Sequence, residues 1–419
     1  MYWLFSRPIE PTLDWLEEKF AGKPDLIDAN TRALKAGYNH AELLRLFQGR
    51  YEVPKVDDTP AGWYRNIMGN QALAIGLVAG ARLAGLKAFL GSYPITPATD
   101  ILQHMSLLKN YDVITCQMED EIAGICTALG ASFAGRLGMT TTSGPGLALK
   151  TETLGLAVIT ELPLVVVDVQ RAGPSTGLPT KVEQADLLQS MFGRNSEAPL
   201  PVLSCATPSD AFECAVEACR IATQYMTPVI LLSDNYIANG AEPWKLPDME
   251  TLERFPVEFV TDPEDFSPYR RDEKLARGWA KPGTPGLSHR IGGLEKDSET
   301  GAVSHDPDNH QRMVELRRDK ILGVRETIPT PELSGPESGD LLVVAWGSTY
   351  GANRAAVEKL RADEHAVSHL HLRHLWPLPH GLPEIFSRFR RIVVPELNLG
   401  QLARLLASEY PEFTFETHY

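Results

Sequence analysis

Three acidic side chains stand in a row at Glu119, Asp120 and Glu121, shortly after the apolar run DVITC. Acids are common in the first turn of a helix because they meet the positive end of the helix dipole, which stabilises each by about 0.3–1 kcal/mol. Three adjacent carboxylates also repel each other, and one that is buried could keep or share a proton. The residues therefore allow two interpretations, a capped helix start or a carboxyl group for general acid–base chemistry, and the local sequence favours the first.

A hydroxyl and two prolines follow the run KAFLG, in the segment SYPITPATD. Pro94 and Pro97 stiffen this loop, and Thr96 lies just before a predicted helix. The N-terminus of that helix could receive a carboxylate. The simpler interpretation, which the local sequence favours, is a helix that proline initiates and threonine caps.

Two further loops carry glycine or a guanidinium group. Gly144-Pro145-Gly146 follows LGMTTTS, and its missing side chains would let a ligand approach the backbone, although the turn has no P-loop lysine and does not match Gly-x-Gly-x-x-Gly. The run LPLVVVDVQ leads into Arg171 and a glycine-bearing loop that ends at Lys181. The planar fork of an arginine suits a carboxylate, and a solvated arginine at a strand end is the alternative.

Other chemistries find less support in the sequence. His369, His371 and His374 crowd one predicted strand end, so a metal site is conceivable, but satisfied or solvated histidines are favoured because no supporting acid is suggested. The five cysteines fit neither zinc pairs nor an iron–sulfur run, and we interpret them as small core residues in a reducing cytoplasm. There is no Gly-x-Ser-x-Gly elbow and no His-Glu-x-x-His motif, so a hydrolase is not indicated.

The elements that must position these loops form a regular pattern. Strand-like runs alternate with helical stretches over 69–239, which predicts a parallel sheet with helices on both faces. Ligands gather beyond the carboxyl ends of such strands, where all four loops stand. The stretch 124–135 is rich in small residues and is expected to pack closely against a partner element. The alternation returns from Asp340, and we predict a second, smaller parallel α/β unit over 336–419.

The remaining segments differ in composition. Residues 1–50 are predicted to be helical, with one helix from Pro11 through Phe20 and another over Ala29–Phe47, and they are too few to bury their own apolar face. Segment 51–68 is predicted to be a linker. Segment 240–335 is a long insertion with one helix near Asn309–Arg325, and ordered insertions of this length are usually functional or bind a partner.

The length and charge restrict the class of protein. At about 150 residues per domain, 419 residues predict two or three compact units. A net charge of -14 argues against a nucleic-acid-binding or anionic-membrane-binding surface. No apolar run approaches the roughly 20 residues that span a bilayer, and charges at Arg7, Glu10 and Asp14 interrupt what would be an export signal. We therefore expect a cytoplasmic protein.

The four loops, in order, resemble the alpha subunit of the 2-oxoacid:ferredoxin oxidoreductases. The matching segments are SYPITPATD, QMEDEIAG, TTTSGPGLALKTE and QRAGPSTGLPTK, followed by PVILLSD, WAKPGTPGLSHRIGGLEKD, DPDNHQRMVELRRDK and PELNLGQL, so the resemblance covers essentially the whole chain. The HRIGGLEKD segment is most similar to the 2-oxoglutarate branch. The resemblance implies a thiamine diphosphate pyrimidine-binding domain at 69–239 and a transketolase C-terminal-like domain at 336–419. Residues 1–50 resemble the end of the family's gamma domain, so we expect the chain to begin partway through that unit.

The resemblance also implies roles for individual residues. Glu121 matches the glutamate that hydrogen-bonds the N1′ nitrogen of the cofactor's aminopyrimidine ring. Thr96 and Arg171 match positions that hold the carboxylate and keto group of the substrate, and Thr180 is a further candidate for the same pocket. The remaining residues expected to contact the cofactor are Tyr93, Pro94, Ile95, Gly144 and Gly146.

The activity that the resemblance implies is the oxidative decarboxylation of 2-oxoglutarate to succinyl-CoA and CO2, with electrons passed to ferredoxin. The Mg2+-diphosphate grip and a [4Fe-4S] cluster are expected on a separate beta subunit, so this chain should be inactive alone and should work as a dimer of alpha–beta pairs. The alternatives are a relative specific for pyruvate or branched-chain 2-oxoacids, and a non-catalytic α/β partner-binding protein on the same scaffold.

Overall fold

The structure is a computed structural model that describes residues 1–44, 49–54, 59–264 and 266–419. Its contacts divide the chain into two units, Met1–Gly62 and Trp63–Tyr419.

The first unit contains two helices, α1 (Glu10–Lys19) and α2 (Pro24–Leu44). Pro11 lies in the first turn of α1, where its missing N–H group would have had no helical partner. Both helices form where the sequence predicts them, and the predicted end of the second at Phe47 lies outside the described residues. Only Leu16 is buried among the described residues of this unit, which agrees with the expectation that it cannot bury its own apolar face.

The second unit carries the remaining elements, and its helices and strands alternate as the sequence predicts. In chain order they are β1 (Tyr64–Met68), α3 (Gly69–Leu83), β2 (Ala88–Ser92), α4 (Thr99–Ser106), β3 (Ile114–Gln117), α5 (Glu121–Phe133), β4 (Leu137–Thr142), α6 (Gly144–Thr160), β5 (Leu164–Gln170), α7 (Leu187–Phe192), β6 (Val202–Ser204), α8 (Asp210–Tyr225), β7 (Pro228–Asp234), α9 (Asn235–Asn239), β8 (Ala241–Lys245), α10 (Pro307–Gly323), β9 (Leu333–Ser334), β10 (Gly339–Trp346), α11 (Tyr350–Ala362), β11 (Val367–Leu372), β12 (His374–Trp376), α12 (Leu382–Phe386), β13 (Phe389–Pro395), α13 (Gln401–Glu409) and β14 (Phe415–His418).

A seven-stranded sheet forms the centre of this unit, with the strand order β12-β6-β7-β5-β4-β2-β3. Six of its strands are parallel, and β12 runs antiparallel to β6. Side chains of a strand alternate between the two faces. Val165 and Val167 of β5 accordingly join one apolar cluster, and Leu164 and Val166 join another on the opposite face. Because both faces are buried, the strand reads as a continuous apolar run, and the predicted parallel α/β architecture is confirmed.

A second, five-stranded sheet has the order β14-β13-β10-β11-β9 and is parallel except for β9. Leu342, Val344 and Trp346 of β10 belong to the same apolar cluster as Val202 and Ile230 of the large sheet. Strand β12 comes from the predicted smaller unit but completes the large sheet. The predicted boundary at 335/336 therefore separates parts of the chain that share a sheet and a core.

The predicted linker needs a correction at its end. Residues 64–68 form β1, which pairs antiparallel with β8 at the start of the predicted insertion. Only Ile67 of this strand is buried, so no alternating pattern marked it, and its partner lies far along the chain. Residues 55–58 of the predicted linker lie outside the described residues.

The predicted insertion contains β8, α10 and β9, and α10 matches the helix expected near Asn309–Arg325. A buried ion cluster connects the predicted insertion to the end of α6. The carboxylate of Glu161, the residue after this helix, accepts a hydrogen bond of 2.7 Å from Lys320 Nζ and one from Arg271. Burial alone would raise the pKa of Glu161, but Lys320 and Arg271 hold it below its ordinary value. Among the residues that the structure describes, no helix is long and apolar enough to cross a bilayer.

Helix α5 approaches the sheet through glycines. A Cβ at Gly91 of β2 would lie 2.5 Å from the carbonyl oxygen of Gly124, and a Cβ at Gly138 of β4 would overlap the carbonyl of Ala128. Gly91 and Gly138 of the strands, together with the small residues Gly124 and Ala128 of the helix, thus let the helix backbone lie directly against two strands. The predicted close packing is confirmed, and the partner element is the chain's own sheet.

Candidate functional site

The four loops singled out in the sequence follow four neighbouring strands, β5, β4, β2 and β3. These strands are parallel, so their carboxyl ends meet at one edge of the sheet. At that edge the hydroxyl of Ser92 lies 2.7 Å from Thr141 Oγ1, which links the end of β2 to that of β4. The predicted convergence of the four loops is therefore present in the structure.

The three acids separate into different environments at the start of α5. Asp120 is the N-cap, and its carboxylate accepts a hydrogen bond of 2.7 Å from the Ala123 N–H group. Glu119 is exposed, whereas Glu121 is only 9% exposed. The capping interpretation therefore holds for Asp120, and the Glu121 carboxylate is sheltered without capping its own helix.

The Gly144-Pro145-Gly146 turn lies against this carboxylate. A Cβ at Gly146 would lie 2.8 Å from Glu121 Cγ and would overlap Thr142 Oγ1, and a Cβ at Gly144 would lie 2.7 Å from a carboxylate oxygen of Asp186. Both glycines are therefore required by close packing at the start of α6. The neighbouring Ser143 hydroxyl is buried and has no hydrogen-bond partner among the described residues.

Arg171 and Thr96 lie together at the same edge. Arg171 is 8% exposed, and its Nη1 donates a hydrogen bond of 2.6 Å to the Thr96 carbonyl. Helix α4 begins after Ala98, whose side chain makes no capping bond, so the interpretation of Thr96 as a cap is wrong. A solvated arginine is also wrong, because Arg171 is buried. The buried Asn70 Nδ2 donates a hydrogen bond of 2.8 Å to the Pro97 carbonyl and so stabilises the loop that contains Thr96.

Several predicted contact residues are less enclosed than Glu121 and Arg171. Tyr93, Thr96 and Thr180 are exposed, and Pro94 and Ile95 are half-buried. Thr180 lies beside Lys181, whose carbonyl accepts a bond of 3.1 Å from the Ala172 N–H group. Within the described part of the chain, no hydrogen bond joins the Thr180 hydroxyl to Thr96, Glu121 or Arg171.

Sequence reasoning missed a buried lysine at the site. Lys150 of α6 is fully buried, and its Nζ donates to the Glu121 carbonyl at 2.8 Å and to Thr140 Oγ1 at 3.2 Å. Burial lowers the pKa of Lys150 to about 8, and the charges of Glu121 and Asp120 oppose that decrease. The sequence did carry a signal of this burial, because Lys150 lies at helical spacing from Leu147 and Leu154 on the buried face of α6.

Sequence reasoning also missed a pair of aspartates, of which one is buried and the other half-buried. Asp168 of β5 is fully buried, and burial together with Asp186 raises its pKa well above the ordinary value. Burial raises the pKa of Asp186 to about 6. Two carboxyl groups close together disfavour double ionisation, so we expect the pair to retain a proton. A single acid in the run VVVDVQ gave no local sign of a partner 18 residues later.

The far end of the Arg171 loop is held by the second sheet's PELNLGQL segment. Gln184 is fully buried, and its Nε2 donates a hydrogen bond of 3.0 Å to the Trp346 carbonyl. The backbone carbonyl of Gln184 accepts a hydrogen bond of 2.7 Å from Asn398 Nδ2. Gln401 Nε2 donates a hydrogen bond of 2.7 Å to the Ala185 carbonyl. The loop is therefore fixed both at Arg171 and at residues 184–185.

Two of the three clustered histidines, His369 and His374, are buried. Burial lowers the pKa of His369 and His374 to about 4. One ring nitrogen of each is buried without a hydrogen-bond partner among the described residues, so these two are neither satisfied nor solvated. No group of three or more His, Cys, Asp or Glu side chains in the described ranges could hold a metal ion.

The residues at the sheet edge suit a nitrogen heterocycle with an anionic substrate. Glu121 offers a sheltered carboxylate to a ring nitrogen, and Arg171 has a buried Nε without a partner among the described residues. The buried Ser143 hydroxyl is a further unpartnered polar atom beside them.

Comparisons with known proteins identify a family and several relatives. Residues 79–306 match the family described as pyruvate flavodoxin/ferredoxin oxidoreductase, thiamine diphosphate-binding. The 2-oxoglutarate oxidoreductase subunit KorA of Mycobacterium tuberculosis is 53% identical over 97% of this chain and 62% of its own length. The 2-oxoglutarate synthase subunit KorA of Methanothermobacter marburgensis is 33% identical over 80% of this chain and 88% of its own.

A solved structure shares the fold over nearly the whole chain. The 2-oxoglutarate:ferredoxin oxidoreductase from Magnetococcus marinus, with 2-oxoglutarate, coenzyme A and succinyl-CoA bound, matches with a TM-score of 0.88 and 34% identity, over 99% of this chain and 72% of that one. The chain thus spans less than two thirds of the mycobacterial relative, but most of the archaeal one. The family match covers more than half of this chain. Together with these relatives, it shows that the chain belongs to the thiamine diphosphate-binding pyruvate flavodoxin/ferredoxin oxidoreductase family.

Proposed function

We propose that this chain is the alpha subunit of a 2-oxoglutarate:ferredoxin oxidoreductase. The assembly would convert 2-oxoglutarate, coenzyme A and two oxidised ferredoxins to succinyl-CoA, CO2, one proton and two reduced ferredoxins. The names of the mycobacterial and archaeal relatives support the substrate. The whole activity belongs to the assembly, because the chain spans 62% of the mycobacterial relative's length.

One observation carries the proposal: a sheltered, non-capping carboxylate at Glu121 lies at the same sheet edge as the buried guanidinium of Arg171, which donates a hydrogen bond to the Thr96 carbonyl. A carboxylate in this position can hold a proton at the N1′ nitrogen of an aminopyrimidine ring. A buried guanidinium binds the carboxylate of a 2-oxoacid. The two groups are the acid–base and the anion-binding functions that this chemistry requires from the protein.

The chain's own residues would divide the work as follows. Bound thiamine diphosphate supplies the carbanion and electron-sink chemistry for cleavage of the carboxyl group. Glu121 holds or returns the proton at N1′, while Arg171 binds the substrate carboxylate and the Thr96 hydroxyl donates to the keto oxygen. Thr180, Tyr93, Pro94, Ile95, Gly144 and Gly146 are proposed to line the same site.

The other parts of the reaction would be supplied by partners. We place the Mg2+-diphosphate grip and the [4Fe-4S] cluster on a beta subunit, with ferredoxin as the electron acceptor and a dimer of alpha–beta pairs as the working assembly. The smaller sheet would correspond to a transketolase C-terminal-like domain, and residues 1–50 to the end of a gamma-like domain. All five cysteines are free thiols, which fits a reducing cytoplasm.

The test is reconstitution with the beta subunit, followed by cofactor analysis and a panel of 2-oxoacids. We expect bound thiamine diphosphate and a higher kcat/KM for 2-oxoglutarate than for pyruvate or branched-chain 2-oxoacids. Equal or better turnover of pyruvate would remove the 2-oxoglutarate assignment. A correctly assembled complex without thiamine diphosphate would favour the non-catalytic partner-binding alternative.

A further inference from the structure

A buried positive charge lies beneath the first turn of α5. Lys150 is fully buried on α6, and its Nζ donates to the Glu121 carbonyl at 2.8 Å and to Thr140 Oγ1 at 3.2 Å. Burying an ammonium group is costly unless it is paired and hydrogen-bonded. Cations are also disfavoured near the N-terminus of a helix, where the dipole is positive. Neither helix propensity nor core packing therefore explains this residue.

The surroundings of the ammonium group show what offsets the cost. Burial lowers the pKa of Lys150 to about 8, while Glu121, Asp120 and the Cys126 thiol on α5 oppose the decrease. Thr140, the contact from β4, is uncharged. The acidic groups that oppose the decrease thus come from α5 and from its N-cap residue Asp120, and with a pKa of about 8 most of the ammonium keeps its proton at pH 7.

Building on the function proposed above, we infer that Lys150 is a positioning residue for Glu121. It holds the backbone of the first turn of α5 and keeps a positive charge beside the carboxylate that faces the cofactor ring. Lys150 itself does not touch substrate or cofactor. When it loses its proton, the attraction to the Glu121 carboxylate disappears.

The variant Lys150→Met tests this inference because methionine has a similar length and no charge. In the reconstituted alpha–beta complex we expect kcat at pH 7 to fall at least tenfold, with KM for 2-oxoglutarate within twofold of wild type. The decline of kcat near pH 8 should be lost or moved. The near-ultraviolet circular dichroism of bound thiamine diphosphate, followed against pH, should shift its midpoint in parallel.

Lys320→Met is the matched control, because Lys320 is also buried and pairs with Glu161 far along the chain from Glu121. It should lower stability while keeping the wild-type pH profile. If Lys150→Met keeps the wild-type profile and dichroism midpoint, the inference is wrong although the proposed function stands. If the wild-type complex binds no thiamine diphosphate, the proposed function is wrong and the inference falls with it.

A second measurement needs no cofactor. The pKa of Lys150 falls from 10.5 to about 8 in the folded chain, so between these pH values the unfolded chain binds more protons and folding stability rises with pH. In urea unfolding of the full chain, Lys150→Met should lack this part of the increase between pH 8 and 10. An unchanged slope would show that the ammonium is not buried as described and would overturn the inference.

Discussion

The guanidinium of Arg171 donates a hydrogen bond of 2.6 Å to the carbonyl of Thr96, a residue 75 positions earlier in the chain. The bond joins the loops that follow β5 and β2, which flank β4 in the sheet. It leaves the Arg171 Nε group buried and without a partner among the described residues. Arg171 therefore both connects two loops of the site and retains a donor for an anionic ligand.

Replacing Arg171 by lysine should weaken substrate binding. Lysine keeps the charge but loses the planar fork, so Arg171→Lys cannot hold the Thr96 carbonyl and a carboxylate together. We expect KM for the 2-oxoacid to rise about tenfold, a loss of about 1.4 kcal/mol, measured by steady-state kinetics of the alpha–beta complex. Arg354→Lys, at an exposed ion pair, is the control and should leave KM unchanged. A wild-type KM for Arg171→Lys would contradict the role of Arg171.

Replacing Glu121 by glutamine should remove the proposed proton transfer while keeping the shape of the side chain. General acid–base catalysis contributes about 10²–10⁴-fold, so kcat of Glu121→Gln should fall at least 100-fold, while the variant still assembles with the beta subunit. Glu119→Gln is the matched control, because Glu119 is the exposed acid of the same group. Activity near that of wild type in Glu121→Gln would disprove the role of this carboxylate.

The Asp168–Asp186 pair should make stability depend on pH. Burial raises the pKa of Asp186 to about 6 from 3.8, so its contribution is fully present below pH 3.8 and is lost as the pH rises through 6. Asp186→Asn should flatten this part of the stability profile, by on the order of 2 kcal/mol in urea unfolding between pH 4 and 7. The exposed Asp262→Asn should retain the wild-type slope. Equal slopes in all three proteins would exclude a shared proton in this pair.

The hydrogen bonds of the buried Gln184 side chain should affect both the stability of the fold and substrate binding. Gln184→Ala removes the hydrogen bond to the Trp346 carbonyl, 162 residues away, and the hydrogen bond that the Leu397 N–H group donates to the Gln184 side chain. A hydrogen bond contributes about 0.5–1.5 kcal/mol, so urea unfolding should detect the loss, and the freed loop should raise KM more than it lowers kcat. Gln103→Ala, on the exposed face of α4, should change neither. An unaltered KM would show that the second sheet does not position the Arg171 loop.

Much of this architecture could be predicted from local sequence. The runs KAFLG, LPLVVVDVQ and PVILLSD form β2, β5 and β7 close to their predicted bounds, because buried parallel strands are continuously apolar and end at glycine, proline or polar residues. The same local signals marked Thr96, Glu121 and Arg171 as polar groups at strand ends. Pattern and turn chemistry act over about ten residues, and within that range they identified the elements and the loops of the site.

Contacts between distant residues determined the rest. The strand order β5-β4-β2-β3, the pairing of β1 with β8 and the insertion of β12 into the large sheet join segments that have no common local pattern. Burial separated three similar acids into an exposed Glu119, a capping Asp120 and a sheltered Glu121, and it placed Lys150 beneath the last of them. Local sequence specifies which side chains are available, but their protonation and partners depend on the water that packing removes and on the charges that folding brings close.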